Sequence, residues 1–172
     1  KNQAESAAAM GAAFLLAFIF IYIVLAAQFE SFVHPFTIMV SLPLALVGAV
    51  LGLFLGGGSF SLSAMIGVIL LMGLVTKNAI LLVDSALEER RHHGKSARDA
   101  IFEAGKKRLR PILMTSAAMV LGMLPTAFGS GAGSEFRGPM AIAVIGGVLT
   151  STVLTLIVVP VVYVWFEAIR QR

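Results

Sequence analysis

Lys77 carries a positive charge in the middle of an apolar stretch, with long uncharged sequence before it and Ile80-Leu81-Leu82-Val83 after it. A charge at the centre of a lipid-spanning helix costs about 2.5–3.5 kcal/mol on insertion scales. Such a residue persists where a carboxylate or a wet cavity faces it inside a helix bundle, which makes it the best pointer to function in the chain. Asp84 stands seven residues on, on the same helix face but about 10 Å away along the axis, too far to pair directly. None of the other apolar stretches offers an internal acid, because Glu30, Glu135 and Glu167 sit at their ends or in loops. Lys77 therefore requires a partner from outside this chain. The plainer alternative is a lysine that snorkels to a membrane edge. That edge lies about two to three turns away, and a lysine stretches over roughly one.

The neighbouring polar residues have ordinary readings. Asn78 and Thr76 suit hydrogen bonds between packed helices, and Asp84 suits the end of a helix at the membrane interface. Arg108 and Thr115 are also seven apart. Taken alone, Arg108-Leu109-Arg110-Pro111 is a basic flank leading into a proline at a helix start. Gly48, Gly52 and Gly56 form overlapping small-residue repeats that let helices approach closely. The loop around Gly131 lacks the Lys-Ser/Thr ending of a phosphate cradle. His92-His93 has neither cysteine nor an acidic cluster beside it, so no metal site is expected. No Ser/His/Asp arrangement, paired membrane carboxylates or zinc pattern is present, and nothing points to an enzyme.

The elements that must position Lys77 follow from composition. The chain is 58% hydrophobic and 13% charged, with a mean hydropathy of +0.93. A soluble domain of this length needs far more polar surface. Uncharged runs extend over about Ser31 to Thr76, Pro111 to Ser134 and Gly138 to Phe166, each beyond the roughly 20 residues that cross a bilayer core. The first run would reach about 69 Å as one helix, so it must fold back, and Gly56-Gly57-Gly58-Ser59 is the break. Five spans are expected, at about 7–27, 36–55, 62–86, 111–128 and 140–166. They form one all-α transmembrane domain over residues 1–172.

Eight of the 13 basic residues fall between Arg90 and Arg110, within the one substantial polar loop expected, at 88–110. The positive-inside rule makes that segment cytoplasmic, together with Arg170 and Arg172, and puts the N-terminus on the opposite side. Nucleic-acid binding is not indicated. Within the segment, Ser96-Ala97-Arg98-Asp99 has the capping-box pattern. A short amphipathic helix is expected after it, either lying at the inner surface or serving as a solvated linker. The chain has no cysteine, which excludes disulfides and thiolate metal sites. It lacks an initiator Met and a signal-peptide pattern, so a piece of a longer protein is expected.

The run Gly73-Leu74-Val75-Thr76-Lys77-Asn78-Ala79-Ile80-Leu81-Leu82-Val83-Asp84 closely resembles the tenth transmembrane helix of resistance–nodulation–division (RND) efflux pumps of the hydrophobe/amphiphile, AcrB-like branch. Gln28-Phe29-Glu30-Ser31-Phe32 is similar to the turn after helix eight, and Pro43-Leu44-Ala45-Leu46-Val47-Gly48-Ala49 to helix nine. Arg108-Leu109-Arg110-Pro111-Ile112-Leu113-Met114-Thr115-Ser116 is similar to the start of helix eleven, and Gly131-Ala132-Gly133-Ser134 to the loop before helix twelve. The resemblance covers nearly the whole chain and implies helices eight to twelve, about half of a twelve-helix membrane domain.

It further implies a bacterial inner-membrane permease that exchanges protons for drugs, dyes and detergents, driven by the proton-motive force without a cofactor. Its partners would be a homotrimer, a periplasmic adaptor, an outer-membrane channel and the surrounding lipid bilayer. By position, Lys77 corresponds to the lysine that pairs with two aspartates on helix four. Arg108 and Thr115 correspond to the arginine and threonine that complete the proton relay, with Asn78 and Asp84 as supporting residues. The aspartate pair would come from the absent N-terminal half. Two alternatives stay open: an RND exporter of lipids or metal ions, or a membrane scaffold that transports nothing. Metal export is the less favoured, because its usual signature here is acidic where this chain has Lys77-Asn78.

Overall fold

Six helices account for nearly all of the chain in the computed structural model, which describes residues 1–30, 33–58 and 60–172. Ser31 and Phe32 of the first turn and Ser59 of the glycine break lie outside the described residues. The helices are α1 (Asn2–Phe29), α2 (Val33–Met39), α3 (Ser41–Leu55), α4 (Leu62–His93), α5 (Ala97–Phe128) and α6 (Ser134–Arg170). Among the described residues there is no strand. Five stretches are long and apolar enough to cross a membrane: α1, α2 with α3, α4, α5 and α6.

The second of these stretches is stepped. Pro43 has no N–H for the carbonyl of Met39, which leaves the helix short of one rung at that point. Ser41 takes up slack nearby, its hydroxyl donating to the Ile38 carbonyl at 2.6 Å.

The polar segment differs most from expectation. Residues 88–110 are almost wholly helical: α4 continues to His93, and only Gly94-Lys95-Ser96 interrupts it before α5. Gly94 ends α4 in the left-handed conformation at φ 61°, which glycine adopts without steric cost. Ser96 then caps α5, accepting from the Asp99 N–H at 3.4 Å while its hydroxyl donates to the Asp99 carboxylate at 3.0 Å. Ser96 is therefore the N-cap that the pattern predicts, with Asp99 bonded to its hydroxyl rather than to its backbone N–H, and the short amphipathic helix after it is the first part of α5. Pro111 lies inside this helix. It removes one hydrogen bond without breaking the helix, because the preceding turns are already held against α4 by Ile101 and Ala104.

α6 is the hub and packs against α3, α5 and α4. The α3–α6 crossing is as close as backbones allow: a Cβ added at Gly146 would lie 2.7 Å from Gly52 Cα, and one at Gly48 would strike Thr150. The small-residue repeat is thus a packing device, with the third glycine, Gly56, against Ile142. Two apolar clusters stack along the bundle. One, with Leu82, Ala86, Ile101 and Tyr163, lies toward the basic ends. The other, with Ala49, Val68, Leu71 and Val144, lies toward the glycine loops. Large apolar side chains also cover the outside, including Leu16, Phe54, Leu121 and Val161. Such an exterior suits lipid rather than water.

Candidate functional site

Lys77 lies on an exposed stripe of α4 with Ile66, Leu70, Gly73 and Asp84, at the three-and-four spacing of one helix face. It lines a mostly apolar groove of about 420 Å³ between α1 and α4, among Phe20, Val24, Leu25 and Ile80, with Gln28 and Thr76 as the other polar side chains of the lining. No carboxylate pairs with Lys77 among the described residues. Asp84 is likewise exposed on this face and unpaired. A lysine and an aspartate thus stand on an open face of the central helix, each without a counter-ion among the described residues.

Arg108 reaches this helix from α5. Its Nε donates to Ser85 Oγ at 2.7 Å, one residue past Asp84. Thr115 is half-buried two turns further along α5, and its hydroxyl donates back to the Pro111 carbonyl at 2.8 Å. That carbonyl is also the i−4 partner of Thr115's own backbone N–H in a regular helix, so the hydroxyl is a second donor to it. Asn78, next to Lys77, is buried, and its Oδ1 has no hydrogen-bond partner among the described residues. Thr155 Oγ1 on α6 is in the same condition. Ser116 of α5 and Thr152 of α6 share a hydrogen bond at 2.8 Å, and Thr152 also donates to the Val148 carbonyl. The structure therefore joins Arg108 to α4 through Ser85, while Lys77 is exposed and Asn78, about 100° round the helix from it, is buried.

Sequence reasoning missed the ion pairs at the basic end. Glu167, read as an end-of-helix residue, is buried in the last turns of α6, its carboxylate 2.6 Å from the Arg90 guanidinium. Glu89, also buried, takes the Lys107 ammonium of α5 on one oxygen and Lys95 on the other at 3.0 Å, with His93 3.9 Å away. These contacts tie α4 to α5 and α6 across the breadth of the bundle. The available signal was weak: two acids within a basic region, with nothing in their spacing to name a partner on another helix. His34 was also overlooked. It is buried between the Phe29 and Tyr163 rings, at centroid distances of 6.3 and 5.9 Å. No group of three or more potential metal ligands occurs among the described residues.

Five long apolar stretches, a charged lysine at mid-helix and a glycine-mediated crossing describe a membrane-spanning bundle. The sequence pattern of the AcrB/AcrD/AcrF family matches residues 1–167. The chain belongs to that family. It is 53% identical over 152 residues to multidrug resistance protein MdtC of Edwardsiella ictaluri. Over the same length it is 51% identical to the MdtC proteins of Erwinia tasmaniensis and Yersinia enterocolitica. Each of these alignments covers 88% of this chain but only 15% of the relative's length. The fold is similar to that in the X-ray crystal structure of a heavy metal efflux pump, with a TM-score of 0.85 and 29% identity. That match covers 99% of this chain and 17% of the pump chain. The RND resemblance is thus established, and the all-helical chain spans about 15% of the length of the curated relatives it matches.

Proposed function

We propose that this chain is part of an inner-membrane proton/drug antiporter that exports amphiphilic and hydrophobic compounds, and that it contributes the lysine side of the proton relay. One observation carries the reading: Lys77 presents an ammonium on an open face of α4, in a mostly apolar groove, with no acid beside it among the described residues. A cation at mid-helix in a membrane bundle demands a counter-charge, and in the parent protein that charge would come from the acidic pair on a helix outside this chain. Protonating one of those acids would release the ammonium to another partner. A proton moving down its gradient would thereby bias a two-state bundle. Arg108 and Thr115 would complete the relay, with Asn78 and Asp84 supporting it.

In the assembled pump the basic ends of the helices would face the cytoplasm and the N-terminus the periplasm. The protein would work as a homotrimer with a periplasmic adaptor and an outer-membrane channel, powered by the proton-motive force. The test uses the complete permease. Lys77→Ala is expected to abolish dye efflux and restore drug susceptibility while trimer size in detergent is unchanged. Efflux that persists in that variant would overturn the relay. If Lys77→Met leaves transport intact and alters only oligomer size, Lys77 is a structural glue and the scaffold reading holds.

The similarity to a metal pump favours a second reading, export of metal ions. The much higher identity to MdtC favours drugs. Resistance to lipophilic dyes compared with resistance to metal salts, in cells with and without the permease, separates the two.

A further inference from the structure

At the basic end of the bundle, the close of α1, the start of α2 and the last turns of α4 and α6 surround a second cavity of about 420 Å³. Its wall carries three arginines, Arg90, Arg91 and Arg170, together with His34, Glu30 and the apolar Phe29 and Leu87. Arg90 is committed to the buried Glu167. Arg91 and Arg170 are exposed, and neither has an ion pair among the described residues. His34 is 5% exposed and stacked against Tyr163, so its ring is a fixed part of the wall rather than a mobile surface group. Two guanidinium groups without an ion pair among the described residues thus line a rigid, partly apolar wall, and the planar guanidinium suits a phosphate by paired hydrogen bonds.

The place of the cavity argues for a lipid source. It opens where membrane helices end, and an aromatic group stands at the same end: Phe36 meets Phe166 edge-on at 5.4 Å, and Phe166 meets Trp165 at 5.1 Å. Aromatic side chains of this kind mark the level of lipid headgroups. Basic pockets between membrane helices at that level bind anionic headgroups. Glu30 makes no ion pair with either arginine among the described residues, and its carboxylate is an acceptor for a headgroup hydroxyl. We propose that this cavity holds the phosphodiester headgroup of an anionic phospholipid of the phosphatidylglycerol type, bound by Arg91 and Arg170 from the leaflet on that side.

The full-length protein containing this chain, purified in detergent, is titrated with phosphatidylglycerol, with phosphatidylcholine of the same acyl chains, and with inorganic phosphate. Thermal unfolding and native mass spectrometry follow binding. Phosphatidylglycerol is expected to raise the melting temperature and remain bound, and the other two to do neither. The double variant Arg91→Gln/Arg170→Gln is expected to weaken phosphatidylglycerol binding about 30-fold, roughly fivefold for each arginine. Arg110→Gln, which removes a charge outside the cavity, should leave binding unchanged. Equal binding of both lipids by the unaltered protein, or undiminished phosphatidylglycerol binding by the double variant, overturns the proposal. The same shift with inorganic phosphate overturns the lipid assignment in favour of a soluble anion.

Discussion

Single residues in this chain divide by whether their partner is near in sequence. Lys77 stands out at once, because a charge within an apolar run is conspicuous wherever it packs. Ser96 does too, because its cap lies three residues away. Glu167 does not: near a chain end it looks like any solvated acid, yet it is buried against Arg90 of another helix. No periodicity within α6 identifies that partner. Removing the carboxylate should therefore be costly. Glu167→Ala leaves a partly buried guanidinium without a counter-ion, and a loss of about 2–4 kcal/mol is expected. The measurement is thermal unfolding in detergent, with efflux falling only in proportion to the folded protein recovered. An unchanged melting temperature would mean that water serves Arg90 equally well.

At the level of elements, hydropathy leads to five expected spans because a bilayer demands a nearly uncharged run of about 20 residues, and among the described residues five stretches are long and apolar enough to cross one. The loop expected at 88–110 is instead helical on both sides of Gly94-Lys95-Ser96, so α4 and α5 run on past the apolar stretch. Charge marks where apolar sequence ends and not where a helix ends. The glycines are a better guide, since close approach leaves a direct mark on the sequence. Gly52→Leu should force α3 from α6, with a destabilisation of about 1–3 kcal/mol. At Gly122 on α5, an added methyl group would meet nothing within 4 Å among the described residues. Gly122→Ala is therefore expected to be neutral, or to stabilise by up to about 1 kcal/mol through helix propensity. Melting temperatures of the two variants check both; equal loss in each would show that the crossing is not what holds these helices together.

Across the whole molecule, α6 is enclosed by α3, α4 and α5, whereas α1 touches α2 and α4 only sparsely. Among the described residues, Leu25 is the one buried residue of α1. The large side chains Leu15, Leu16, Phe20, Ile23 and Val24 of that helix all remain exposed. Nitroxide labels at Ile19 and Leu70, in the complete protein, should report a broader distance distribution than labels at Val50 and Leu149, which bracket the α3–α6 crossing. Distributions of equal width would show α1 to be anchored as firmly as the rest. This asymmetry was not visible in the sequence, because α1 is as apolar as its neighbours and apolarity does not say whether a helix meets protein or lipid.

No water is present in hydrocarbon to press two greasy helices together, so adhesion there depends on how tightly their surfaces interlock. By that criterion α1 is an outrigger. Swinging it about the left-handed joint at Glu30 would part neither the glycine crossing nor the ion pairs at the basic end. The width of the groove beside Lys77 is then set less by the bundle's own packing than by whatever polypeptide or acyl chain moors alongside.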